Sequence, residues 1–177
     1  MDEKKILIYG YGSRTDAVTE LARSCGAVPV AAAPEQADET IGFLCGLSGF
    51  PAAKHPGPAP EEPQALLLFH GFDSAELDAF LVELRKAGLS DGALKAMVTP
   101  TNRSWTLRAL SEEVRREHRV MSALVRLQKL REQVPMPDFR NVRLMKALMQ
   151  AEMLLSGQKD PEPEEVEAAF RELENAM

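Results

Sequence analysis

Three short stretches of this 177-residue chain hold residue types that can do chemistry. Gly10-Tyr11-Gly12-Ser13 follows an apolar run and opens a helical pattern. In that setting backbone amides and the helix dipole can hold a phosphate. The dinucleotide fingerprint is incomplete, because Thr15 stands where its third glycine belongs and the nearest acid, Glu35, lies beyond Pro34. A related turn, Gly71-Phe72-Asp73-Ser74, carries an aspartate that would oppose an anion. Two tight turns capped by Ser13 and Ser74 are the preferred reading. The second stretch, Thr99-Pro100-Thr101-Asn102-Arg103-Ser104-Trp105, is the densest. Thr101 and Asn102 can hydrogen-bond a ligand and Trp105 can stack on one. The competing reading, which we favour, is structural: Thr and Asn stabilise their own turn and Ser104 caps a helix. The third is His70 with Asp73, and Lys95 further on. A catalytic base needs an orienting partner and a nucleophile within reach, and no spacing here compels that arrangement. His118 beside Glu117 reads as a solvated helix face. No metal-binding spacing, catalytic triad or phosphate-binding loop is present, and no cofactor is implied. Cys25 and Cys45 read as buried, reduced thiols.

The elements that position these residues come in two copies. Ile6-Leu7-Ile8-Tyr9-Gly10 matches Leu67-Leu68-Phe69-His70-Gly71, and Val28 to Pro34 matches Leu94 to Pro100. Each apolar run reads as a strand, each following segment as a helix ending at Gly26 or Gly88. Pro29 has no amide to donate, which places its strand at a sheet edge. The repeat continues past the second strand of each copy. Asp38 aligns with Ser104 as a helix cap, Thr40 with Thr106, Ile41 with Leu107, and Leu44 with Leu110. Five prolines between 51 and 64 mark a semi-extended linker that also holds His55. The expected fold is α+β: two tandem β-α-β units in one four-stranded sheet, ferredoxin-like or a small doubly wound sheet, then a helical tail. Both first strands are apolar on both faces, so cover is expected on both sides. The expected organisation is a duplicated domain over 1–118 (copies 1–50 and 65–118, linker 51–64) and a helical extension over 119–177.

The tail reads as three helical stretches. One runs from Trp105 to about Gln133 and allows a bend near His118. One runs from Phe139, capped by Asp138, to Ser156. The last starts at Asp160-Pro161 and carries Val166, Ala169, Phe170 and Leu173 on one face. The middle stretch is apolar over so much of its circumference that burial on more than one side is expected.

The net charge of −6 hides a segregation. Residues 103–146 carry 11 basic and 5 acidic groups, and residues 147–177 carry 2 basic and 8 acidic. Charge pairing within the chain, or between copies, is favoured over binding of nucleic acid. No apolar run reaches the ~18 residues of a membrane span, and the start lacks a secretory pattern, so a cytoplasmic protein is expected.

From Gly71-Phe72 through Leu84-Arg85-Lys86-Ala87-Gly88 to Lys95-Ala96, Thr99-Pro100-Thr101-Asn102, Trp105 and Glu117-His118, the chain resembles a bacterial domain-of-unknown-function family, number 3783. The resemblance covers residues 65–118, and Gly42-Phe43-Leu44-Cys45-Gly46 looks like the region that often precedes that domain. It implies no activity, and marks the Thr-Pro-Thr-Asn loop as the family's hallmark. The expected role is a non-catalytic binding or regulatory module, with a protein partner or a second copy meeting residues 119–177. The alternatives are an enzyme or sensor of a small phosphorylated metabolite, bound at Gly10, Gly12 and Ser13 or at Thr101, Asn102 and Trp105, and a nucleic-acid binder using the basic stretch.

Overall fold

The structure is a computed structural model that describes residues 3–54, 57–134 and 140–177. His55, Asp138 and Phe139, singled out above, lie outside the described residues. The chain divides into two compact units, Met1–Val114 and Arg115–Met177.

The first unit is built on a four-stranded sheet. Its strands are β1 (Lys5–Tyr9), β2 (Val28–Ala32), β3 (Leu66–His70) and β4 (Leu94–Met97), in spatial order β2-β1-β3-β4. Each copy contributes one parallel pair, and the two copies meet through an antiparallel β1–β3 pairing. The copies therefore lie side by side rather than interleaved. The registers repeat as the sequence does: Lys5 faces Val28, and its counterpart Leu66 faces Leu94. Across the centre Lys5 faces His70 while Tyr9 faces Leu66, the pairing that a local two-fold axis requires.

Alternation along the two central strands separates two cores. Ile6, Ile8, Leu67 and Phe69 point to one face, where α1 (Thr15–Ser24) supplies Val18 and Ala22, and α3 (Ser74–Lys86) supplies Phe80 and Leu84. Phe69, Phe72 and Phe80 meet edge to face there. Leu7, Tyr9, Leu66 and Leu68 point to the other face. That face is covered by α2 (Ile41–Leu44), with Ile41 and Leu44, and by the start of α4 (Leu107–Gln133), with Leu107 and Leu110. The expected cover on both faces is present, and the short segment after each β-α-β unit supplies the second one.

The helix caps differ from those expected. Ser13 sits in a 3-10 turn (Gly12–Arg14) that makes no side-chain cap. Asp73, not Ser74, caps α3: its carboxylate accepts from Glu76 N at 2.8 Å while Glu76 accepts from Asp73 N. Two residues beyond Asp38 and Ser104, Thr40 accepts from Phe43 N and Thr106 from Ala109 N. A hydroxyl immediately before the first helical residue reaches the third amide, which Asp38 and Ser104 are too far upstream to do. Thr40 and Thr106 also form an antiparallel bridge, in which Ile41 N donates to Trp105 O at 3.0 Å and Leu107 N to Glu39 O at 2.9 Å. Asp38 takes another role: it accepts from Arg108 at 2.7 and 3.1 Å and from Gly57 N at 2.5 Å. Arg108 also donates to Pro58 O, and Ala53 N donates to Glu39, so the linker is fastened to the domain. Cys45 is buried as expected, whereas Cys25 is exposed, because α1 ends at Ser24 and Cys25 falls in the turn beyond it.

The second unit holds the rest of α4, α5 (Val142–Leu155) and α6 (Pro163–Ala176) around its own core. Asn141 caps α5 and Glu162 opens α6, two residues later than Asp160-Pro161 suggested. Small residues pack the α5–α6 seam: Ala147, Ala151 and Ala169 are almost fully buried. Arg116 pairs with Asp160 and Glu162, Arg119 with Glu164, and Arg131 with Glu152. Among the described residues no helix is long and apolar enough to cross a membrane.

Candidate functional site

The two turns singled out in the sequence lie at opposite ends of the sheet. β1 runs antiparallel to β3, and β3 parallel to β4, so the turn after β1 and the loop after β4 point in opposite directions. Gly10, Gly12 and Ser13 stand together at one end, and Thr101, Asn102 and Trp105 at the other. A single ligand cannot use both.

At the first end the glycines have structural reasons. Gly10 has φ +69°, and a Cβ there would collide with the Gln64 backbone carbonyl. Its bare backbone lets the strand after the linker approach. Gly12 has φ +54° with open space around it. Between them Tyr11 is only 3 % exposed and belongs to the first core. Its hydroxyl has no hydrogen-bond partner, and burial pushes its pKa up to about 12. The turn is thus anchored by its middle residue.

At the other end Asn102 staples the Thr-Pro-Thr-Asn loop to the strand it leaves. Its Oδ1 accepts from Thr99 N at 2.8 Å, and its Nδ2 donates to Met97 O at 2.9 Å. Thr99 Oγ1 accepts from Asn102 N in return. Thr101 O accepts from Ser104 Oγ, and Trp105 is 38 % exposed. Arg103 lies over the Phe50 ring at 5.9 Å, and Phe50 fills the space that Gly42 leaves open. The first copy repeats the staple: Gln36 Oε1 accepts from Ala33 N at 2.9 Å. A device present in both copies explains the loop's residues by local folding and by contact between copies.

The third group is not drawn together. Asp73 is committed to its cap, and Lys95 donates to Ser90 O and Ala93 O, its ammonium held below the ordinary lysine range by burial. His118 is exposed on α4. Among the described residues no group of three His, Cys, Asp or Glu side chains stands close enough to hold a metal ion.

Among the described residues, one apolar face that the core leaves unexplained is on α5. Leu144, Ala147 and Ala151 point into the second unit's core. Val142, Met149 and Met153 fall on the opposite side of the helix and are 73, 69 and 59 % exposed. This corrects the expectation that so apolar a helix is buried on several sides: α6 and α4 take one side only. Arg143 and Lys146 are exposed beside the stripe. Next to it lies a groove of about 550 Å³, lined by Met149, Met153, Leu154 and Ala168, with Lys146 and the Lys159–Glu165 ion pair at its rim. Its volume is in the range of small-ligand and peptide pockets. The spacing 142, 149, 153 was visible in the sequence. The side that packs was marked by Ala147 and Ala151, where small residues allow helices to approach.

No curated protein and no solved structure matches the chain. Residues 65–121, the second copy with the first part of α4, match the model of a family described as a domain of unknown function, DUF3783.

Proposed function

We propose that the chain is a non-catalytic binding module whose C-terminal helices dock a protein partner or a second copy of the chain. The observation that carries this reading is the outward stripe Val142, Met149 and Met153 on α5. Three large apolar side chains on the solvent side of one helix, beside an apolar groove, form the kind of patch that marks interaction surfaces. Methionine adapts its shape to a partner at low cost. Supporting it, Asn102 and Gln36 spend their amides on the loops that hold them. Three arginines of the basic stretch, Arg116, Arg119 and Arg131, are paired with acids of the following helices, which weighs against a surface laid out for polyanions.

The test combines two readouts on the full chain. Native mass spectrometry across a concentration series reports self-association, and fluorescence of an apolar dye reports an accessible patch. Either a mass above one chain, or dye binding that falls at least severalfold in Met149→Lys/Met153→Lys, is expected. A strict monomer whose dye binding is unchanged by that substitution overturns the reading.

A further inference from the structure

We infer that the groove beside Met149 and Met153 takes an acidic amphipathic helix of a partner protein. This rests on the proposed function, in which α5 carries the association surface, and names the chemistry of the occupant. The stripe of Val142, Met149 and Met153 spans about 16 Å at 1.5 Å per residue. Lys146, Gln150 and Leu154 line the groove along one flank of α5, and Arg143 continues that flank toward the N-terminus. On α6 the lining includes Ala168, exposed and small enough to let another backbone come close. A trough between two helices offers side chains but no free backbone donors or acceptors. An extended segment laid there would find no backbone partner, whereas a helix satisfies its own amides and carbonyls.

The sign of the partner follows from the charges. Arg116, Arg119, Arg131 and Lys159 of the second unit are each paired with an acid. Arg143 and Lys146 are exposed, and neither is paired with an acid among the described residues. Arg115 and Lys129 are unpaired too, but they stand on α4, outside the groove lining. Glu165, the acid that lines the groove, is spent on Lys159, and Glu152, on the other flank of α5, is spent on Arg131. Glu172, a turn beyond Ala168 on α6, bonds neither free cation and balances at most one of them. The N-terminal end of α5 adds partial positive charge beside Arg143. A helix whose apolar side chains fill the groove over Met149 and Met153, with acids one turn apart on its flank, meets both features. One helix on such a trough buries less than about 1,200 Å² and should exchange readily.

The experiment uses the full chain and two fluorescent helical peptides of about 15 residues, long enough to cover the stripe. Both carry leucine at i, i+4, i+7 and i+11, and they differ only in the flank, glutamate in one and lysine in the other. Anisotropy titrations should show the acidic peptide binding at least tenfold more tightly than the basic one. Its binding should weaken severalfold as salt rises from about 0.05 to about 0.5 M. Arg143→Glu/Lys146→Glu should invert the preference between the peptides, and Met149→Gln/Met153→Gln should weaken the acidic peptide at least severalfold. All four positions are exposed, so circular dichroism should show the fold kept. Equal binding of the two peptides overturns the inference, as does a preference that Arg143→Glu/Lys146→Glu leaves unchanged. Self-association of the chain with neither peptide bound also overturns it, and gives the face to a second copy. In these cases dye binding that falls in Met149→Lys/Met153→Lys leaves the proposed function standing. Sedimentation with phosphatidylglycerol vesicles and no peptide binding would make the surface a lipid site and overturn both readings. A strict monomer that binds neither peptide, with dye binding indifferent to the substitution, also overturns both.

Discussion

Asp38 and Arg108 tie the two copies and the linker at one point. The carboxylate takes two hydrogen bonds from the guanidinium and one from Gly57 N, and the same guanidinium holds Pro58 O. The Arg108 hydrogen bonds, with that from Gly57, hold the Asp38 carboxyl below the usual carboxylate range. A carboxylate whose folded pKa is depressed stabilises the fold above its unfolded value of about 3.9, and loses that contribution as pH falls through the folded value. Asp38→Asn should therefore cost about 1–2 kcal/mol at pH 7, the size of charge-assisted hydrogen bonds that are partly exposed. The gap between wild type and variant in urea midpoints should stay constant from pH 7 to about 5 and close below about pH 4. A gap that does not narrow would show that the pair acts through shape and not charge. The glycines of the first turn make a second contrast at this scale. Gly12→Ala should cost about 1 kcal/mol, for the positive φ alone. Gly10→Ala should cost more than about 2 kcal/mol, because its Cβ also meets the Gln64 backbone. Equal costs in thermal melts would remove the close-approach account of Gly10.

At the scale of elements, the same local devices recur around the two-fold axis. Thr40 and Thr106 each cap a helix and face one another in a bridge, and Gln36 and Asn102 each staple the loop that precedes it. Removing one N-cap hydroxyl typically costs about 1 kcal/mol. Thr40→Ala and Thr106→Ala should therefore destabilise by similar amounts, measured by urea unfolding. Asn102→Ala should cost more than Gln36→Ala, because Asn102 also donates to Met97 O. A cost for Asn102→Ala no larger than that for Gln36→Ala would contradict the staple. This is also the scale at which the sequence was most legible. The repeat predicted four strands, the helix after each, and an edge position for Pro29, because apolar alternation and glycine stops act over neighbouring residues. Strand order was not legible, since parallel partners are chosen by packing across the whole sheet. The caps were misplaced by a residue or two, since Ser, Thr and Asp in one turn all qualify and only backbone geometry selects among them. The role of Asp38 was hidden for the same reason: its partner Arg108 lies far along the chain.

On the whole-molecule scale the chain carries two separate hydrophobic economies. The two clusters on the sheet draw on residues up to Leu110, with Val114 packed at their edge, and the third begins at Ala123. The division falls within α4, because one helix can serve two cores with two successive faces. The outward stripe of α5 was illegible as an exposed face: a wide apolar helix reads alike whether its second side meets this chain or another. Two cores that share no residue need not unfold together. The single tryptophan, Trp105, reports on the first unit alone, while far-ultraviolet circular dichroism weighs all helices. Leu173 is fully buried in the second core, so Leu173→Ala should remove about 3 kcal/mol there. In guanidinium titrations this variant should lower the midpoint of the dichroism signal while the Trp105 fluorescence midpoint moves by less than about a quarter as much. If both midpoints fall together, α4 transmits the loss and the chain unfolds as one cooperative body, with the stability of the DUF3783 segment depending on helices outside it.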